Sequence, residues 1–260
     1  MRIIILTQDD NLFLPTSCAY ICQELGSRIV YIVVSPALST HGGLVKGLLR
    51  HIALFGASGT VALASRILMA KTCGLAKRPT GKGRIRSIDQ VAHEYDIPFR
   101  RIRRVNSPPF HEVLEECRPD LLISLSCPQV IGRKVRDRIP AGCINVHGSP
   151  LPKYRGLMPA FWVLRNNEPK TAVTVHDLAA KLDDGDILLQ REVDIAPTDT
   201  WYSLIHKTKA AAAGTLVEAV RQIESGNASR KPNLEEDATY YSFPTAADRR
   251  AFLAAGRRFF

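Results

Sequence analysis

Apolar positions along the chain follow two alternating rhythms. Arg2 to Thr7, Arg28 to Val34, Phe99 to Val105 and Leu121 to Leu125 are short, nearly continuous apolar runs that read as buried strands. Pro15 to Leu25, Arg86 to Tyr95 and Pro109 to Cys117 carry the three- and four-residue spacing of helices. This alternation predicts an open, mostly parallel sheet with helices on both faces. Gly142 to Val146 reads as a further strand, Thr171 to Asp177 and Ile187 to Val193 as two more, and Thr200 to Glu224 as a long helix. Beyond Ser225 periodic signals are few. The predicted organisation is one α/β domain over 1–224, with a helical, basic insertion at about 42–85, and a tail over 225–260 too short to be a domain of its own.

The insertion departs from the rhythm. Leu44, Leu48, Leu49, Ile52 and Phe55 fall on one helical face and Val61, Ala64, Ile67 and Leu68 on another, with a break at Gly56-Ala57-Ser58-Gly59. The uncharged stretch Ile52 to Ser65 has fourteen residues, below the length of a bilayer span, so the segment is not expected to cross a membrane. Lys46, Arg50, Arg66 and Lys71 accompany these faces, which suits a helix lying on an acidic membrane surface. Packing on the sheet or on a second subunit is the preferred reading, and the second of these would make the protein a homodimer.

Charge sharpens the same region. The 260-residue chain has a formal net charge of +10, and residues 42 to 104 hold thirteen basic and three acidic side chains, leaving 22 against 22 elsewhere. Such a patch fits a phosphate, a nucleic acid or an anionic surface, and equally a solvated face. Met1-Arg2 precedes only the short apolar run Ile3 to Leu6, not a signal-peptide core, so a cytoplasmic location is expected. The six cysteines form no Cys-x-x-Cys pair and have no His at metal spacing. They are read as reduced thiols, with no metal site expected.

Candidate chemistry lies in Asn145-Val146-His147-Gly148-Ser149-Pro150-Leu151-Pro152-Lys153-Tyr154-Arg155-Gly156 and in Leu182-Asp183-Asp184-Gly185-Asp186. Asn145 and His147 are two apart on a strand, so both side chains share a face. An amide N–H and an imidazole there can meet a developing oxyanion or move a proton, and Asp183 can orient and charge-balance the imidazole. A neighbouring carboxylate raises a histidine pKa. A lone His after a strand is more often structural; the combination of three polar groups is the signal.

These residues resemble the folate-dependent formyltransferases, whose pattern is Asn-x-His-x-Ser-x-Leu-Pro-x-Tyr/Trp-Arg-Gly followed by Leu/Ile-Asp-x-Gly. The likeness runs from about Arg86 to Leu216, and Pro150 departs from the family's usual Leu. The resemblance implies a Rossmann-like formyltransferase fold and attack of an amine on the formyl carbon of 10-formyltetrahydrofolate as co-substrate. Asn145 and His147 would stabilise the oxyanion, and the family spacing selects Asp183 over Asp184 and Asp186. It also implies a folate wall of Pro128, Gln129, Val130 and Ile131, with Leu182 and Asp183 from the Asp loop.

On the acceptor side, Thr7-Gln8-Asp9-Asp10-Asn11-Leu12 lacks the Gly-rich phosphate loop of the glycinamide-ribonucleotide enzymes. The tail does not resemble the tRNA enzymes' C-terminal domain, so tRNA is reachable only through the basic patch. The expected acceptor is therefore a small amine, such as a nucleotide-linked amino sugar or a natural-product precursor. Asp9, Asp10, Asn11, Tyr154 and Arg155 are its candidate contacts, with Arg84, Arg86, Arg100-Arg101 and Arg103-Arg104 as further phosphate partners. A methionyl-tRNA formyltransferase-like activity and a non-catalytic scaffold on the same fold are the alternatives.

Overall fold

The strand core follows from side-chain alternation. In the computed structural model, which describes residues 1–36, 43–75 and 87–260, Ile3 and Ile5 of β1 (Ile3–Gln8) bury on one face of a sheet and Ile4 and Leu6 on the other. Every such side chain is removed from water, which is why the strand reads as a continuous apolar run. The same holds for β2 (Ile29–Ser35) and β4 (Leu121–Leu125). Between them stand α1 (Pro15–Leu25), α2 (Gly43–Leu75), α3 (Ile88–Glu94), β3 (Phe99–Arg101) and α4 (Pro108–Cys117). Proline opens α1 and α4, where a missing N–H costs nothing, and the Ser87 side chain caps α3 by accepting from Gln90 N.

Then follow α5 (Arg133–Arg136), β5 (Cys143–His147), the two-residue β6 (Arg155–Gly156), α6 (Pro159–Arg165), β7 (Lys170–Asp177), β8 (Ile187–Asp194), α7 (Trp201–Glu224), β9 (Tyr240–Tyr241) and α8 (Ala246–Ala254). The main sheet runs β3-β2-β1-β4-β5-β7-β8. It is parallel from β3 to β5 and antiparallel at β5–β7 and β7–β8. Helices α1, α3 and α7 cover one face, α4 and α5 the other. The predicted mostly parallel sheet is the observed one.

Differences from the sequence pattern have local causes. The third strand is predicted to reach Val105 but ends at Arg101, because the Gln129 side chain takes over beyond it: its Oε1 accepts from Val105 N and its Nε2 donates to Arg103 O. Residues after Ser225 are more ordered than their periodicity suggests. Thr245 and Asp248 form a capping box that starts α8, and Phe252 and Phe259 bury in a third apolar cluster with Phe161, Trp162, Trp201, Leu54 and Phe55. The tail is thus part of the domain's packing.

The insertion is helical and breaks at Gly56, whose φ of 72° and ψ of 174° lie outside the helical region. Leu54, Phe55 and Ala70 bury against the rest of the protein. Leu48, Leu49, Ile52, Val61 and Leu68 do not, so of the two predicted apolar faces Phe55 packs inward while these residues stay exposed. Arg84 and Arg86 lie outside the described residues.

Candidate active site

In an open α/β sheet a ligand crevice forms at the carboxyl ends of strands where the strand order changes direction. Here that point is between β1 and β4, and β5 is next to β4. Asn145 and His147 sit on β5 two residues apart, and both reach the same cluster. His147 is 9% exposed; its Nδ1 is 3.5 Å from Asp183 Oδ2 and its Nε2 donates to Tyr154 O at 2.9 Å. Sequence spacing and structure therefore bring the imidazole and the carboxylate of Asp183 together.

Asp183 is held from three sides. Its φ of 53° places it in the left-handed region, its Oδ2 accepts from Gly156 N at 2.9 Å, and its carbonyl accepts from Asn233 Nδ2 at 2.9 Å. Gly156 itself has φ 100°, and a Cβ there would meet Tyr241 O at 2.3 Å, so glycine is required where β6 pairs with β9. The rival carboxylates go elsewhere: Asp184 pairs with Arg155 at 2.8 Å, and Asp186 is exposed.

His176 is the residue that sequence reading missed. It lies opposite Asn145 in the β5–β7 register, is 1% exposed, and has its Nε2 3.7 Å from Asp183 Oδ1. Its Nδ1 faces Asp177 O at 2.8 Å, which only an N–H can satisfy, so Nε2 is the bare nitrogen and accepts from Asn145 Nδ2 at 3.1 Å. Burial, reinforced by His147 and only partly opposed by Asp183, pushes its pKa down to about 4. A neutral His176 thus fixes one amide proton of Asn145 and with it the orientation of the amide. A single His ending the run Val173-Thr174-Val175 carried no distinguishing sequence signal.

This shift has a measurable consequence. The unfolded chain protonates His176 below about pH 6.5 whereas the folded chain does so only near pH 4, so stability falls as pH drops through that window. The wild type is expected to lose on the order of 2 kcal/mol more than His176→Asn between those limits. Urea unfolding of both proteins across that range checks it, and parallel curves refute it.

Other predicted contacts are placed differently. Tyr154 is 6% exposed, donates its hydroxyl to Glu168 and stacks on Tyr241, while Arg155 binds Asp184, Glu235 and Asn233. Both brace the loop in place of the expected acceptor contact. Asp9 pairs with Arg101, and Asp10 Oδ1 accepts from Leu12 N and Phe13 N to shape the turn into α1, leaving Asn11 to line the neighbouring cavity. On the expected folate wall, Ile131 is core and the Gln129 amide is spent on backbone partners; Pro128, Val130 and Leu182 are exposed.

The cavity, about 900 Å³, is lined by α1, α2 and α7, with Leu12, Phe13, Tyr20, Met69 and Tyr202 beside Lys209. Lys209 hydrogen-bonds Ser126 Oγ just past β4, and burial lowers its pKa against the opposing pull of Asp10. It too escaped sequence reading, since one lysine in a long amphipathic helix looks like any solvated one.

A mostly parallel sheet with an amide, two imidazoles and a carboxylate gathered at its carboxyl edge has the build of an α/β protein with a polar site in its ligand crevice. Residues 67–220, more than half of the chain, match the formyl transferase family, and the chain belongs to that family. It is 37% identical over 166 residues to a methionyl-tRNA formyltransferase of Syntrophus aciditrophicus (strain SB), covering 63% of this chain and 53% of that protein. A methionyl-tRNA formyltransferase of Thermotoga maritima is 34% identical over the same shares. The chain therefore spans about half the length of the curated relatives it matches. Among solved structures, phosphoribosylglycinamide formyltransferase from Anaplasma phagocytophilum superposes with a TM-score of 0.60 at 17% identity, covering 93% of this chain and 97% of that one. An N-formyltransferase from Helicobacter canadensis, in complex with folinic acid and dTDP-3-aminofucose, gives a TM-score of 0.60 at 15% identity over 98% and 80%. At these identities the likeness is one of fold.

Proposed function

We propose that the protein transfers a formyl group from 10-formyltetrahydrofolate to a primary amine of a small molecule, with a nucleotide-linked amino sugar as the favoured acceptor class. The observation that carries the reading is the His147–Asp183 contact beside Asn145 at the carboxyl edge of the sheet. When the amine attacks, charge develops on the formyl oxygen, and the second N–H of Asn145 supplies a donor for it, while His147, whose Nε2–H is held by Tyr154 O, offers Nδ1 beside Asp183 to the proton. A new C–N bond forms as the bond from the formyl carbon to the folate nitrogen breaks. The proton lost by the amine passes through the His147–Asp183 pair or a water beside it and ends on the leaving nitrogen. Val130 and Leu182, exposed and apolar, suit the flat pterin ring.

The cavity between α1, α2 and α7 is the proposed acceptor pocket, with its aromatic side chains against a base or sugar and Arg66 and Lys209 toward phosphate. The Helicobacter canadensis complex with a nucleotide amino sugar supports that class. Methionyl-tRNA is the second reading, favoured by the curated relatives. Release of tetrahydrofolate from 10-formyltetrahydrofolate, measured with nucleotide-linked amino sugars and with methionyl-tRNA, tests both. Release with an amino sugar alone supports the first reading, release with charged tRNA alone replaces it, and no release with any amine sinks formyl transfer.

A further inference from the structure

We propose that α2 docks the protein peripherally on an anionic lipid surface. Gly47–Thr72 is long and apolar enough to cross a membrane by length and composition. The fold prevents that use: Gly56 breaks the helix, Leu54 and Phe55 are locked in the third apolar cluster, and Ala70 is buried. Arg66 lies 4.6 Å from the Phe260 ring centroid and Arg50 4.7 Å from that of Phe243, which clamps both halves of the helix along the protein. The opposite side is open and apolar. Leu48, Leu49 and Ile52 project from the first half, and Val61 and Leu68, with 68% and 63% exposure, lie on one stripe of the second with Ala57 and Ala64. A soluble protein rarely leaves such a stripe uncovered.

Charge selects the occupant. No residue from Leu25 to Ile88 is Asp or Glu, while Lys46 to Arg86 holds nine Lys and Arg side chains. Two copies of a sequence this basic and free of acids repel, whereas an acidic headgroup layer attracts it. A helix held flat, with apolar side chains outward, Lys71 exposed on the same stripe as Ala64 and Leu68, and a basic sequence following it, has the build of an interfacial anchor. Arg66, Met69 and Ala70 also wall the 900 Å³ cavity, so a lipid surface on α2 would lie at its rim.

Flotation of the full chain with vesicles of phosphatidylcholine alone, or with about one-third phosphatidylglycerol, tests this. Partition onto the anionic vesicles is expected to exceed that onto neutral ones by roughly tenfold or more and to fall with added salt. The triple variant Leu48→Glu, Val61→Glu, Leu68→Glu is expected to lose the binding, and Lys71→Glu, which removes no apolar contact, to weaken it several-fold. Circular dichroism and thermal melts confirm that each variant is folded. Wild type that fails to float, or variants that float as it does, overturn the proposal. A dimer in sedimentation velocity that the triple variant splits, with no vesicle binding, assigns the face to a second copy instead.

Discussion

Replacing Asp183 with Asn is expected to lower turnover by about 10²- to 10⁴-fold while leaving the thermal midpoint nearly unchanged. The substitution keeps an oxygen that can accept from Gly156 N, so the loop retains its anchor, but His147 loses the carboxylate 3.5 Å from its Nδ1. Asn145→Ala and His147→Ala act on the same charge development and are expected to cost a similar factor. In the proposed mechanism the three side chains work on one transition state, so the double variant His147→Ala, Asp183→Asn is expected to be little worse than either alone. Single-turnover formyl transfer in the four proteins reads this directly. Wild-type rates in the single variants would remove these residues from the chemistry, and additive losses would mean that His147 and Asp183 act separately.

Gly185→Ala is expected to cripple the enzyme without touching a reacting group. A Cβ at Gly185 would stand 1.8 Å from the carbonyl oxygen of Asp177 and 2.6 Å from its carbon, a backbone obstacle that cannot rotate away. The Asp loop must therefore move, although Asn233 Nδ2 binds the carbonyls of both Asp183 and Gly185 and resists the shift. Overpacking of this kind costs about 2 kcal/mol, a fall of roughly 5 °C in Tm. A displacement of about 1 Å in the carboxylate costs on the order of 10²-fold in rate. Calorimetry together with kcat checks both arms; an unchanged kcat would show that the loop's position does not set the rate.

Much of the sheet was legible because strands buried on both faces leave unbroken apolar runs such as Ile3 to Leu6 and Leu121 to Leu125. The Asn145, His147 and Asp183 cluster was legible because strand spacing and an ordered motif carry it. What sequence could not show depends on partners distant in the chain. Arg155 looked like a free cation until Glu235 and Asn233 closed on it, and His176 acquires meaning only from its register with Asn145. The packing of the tail was not legible for a related reason: it comes from Phe252 and Phe259 meeting Phe161, a contact that periodicity within 225–260 does not encode.

The antiparallel turn-back at β5, β7 and β8 has a consequence for how such a protein can diversify. Asn145, His147, His176 and Asp183 all belong to this stretch, and Asn233 and the β6–β9 pair brace it from the last part of the chain, so all of their supports lie in its second half. The cavity is built otherwise, from α1 and α2 near one end of the sequence and α7 near the other. Substitutions in α1, α2 or the first turns of α7 can therefore remould what enters the crevice while the reacting groups keep their spacing. If the cavity takes the acceptor as proposed, exchanging these helices between relatives changes amine specificity and leaves the Asn145–His147–Asp183 cluster as it is.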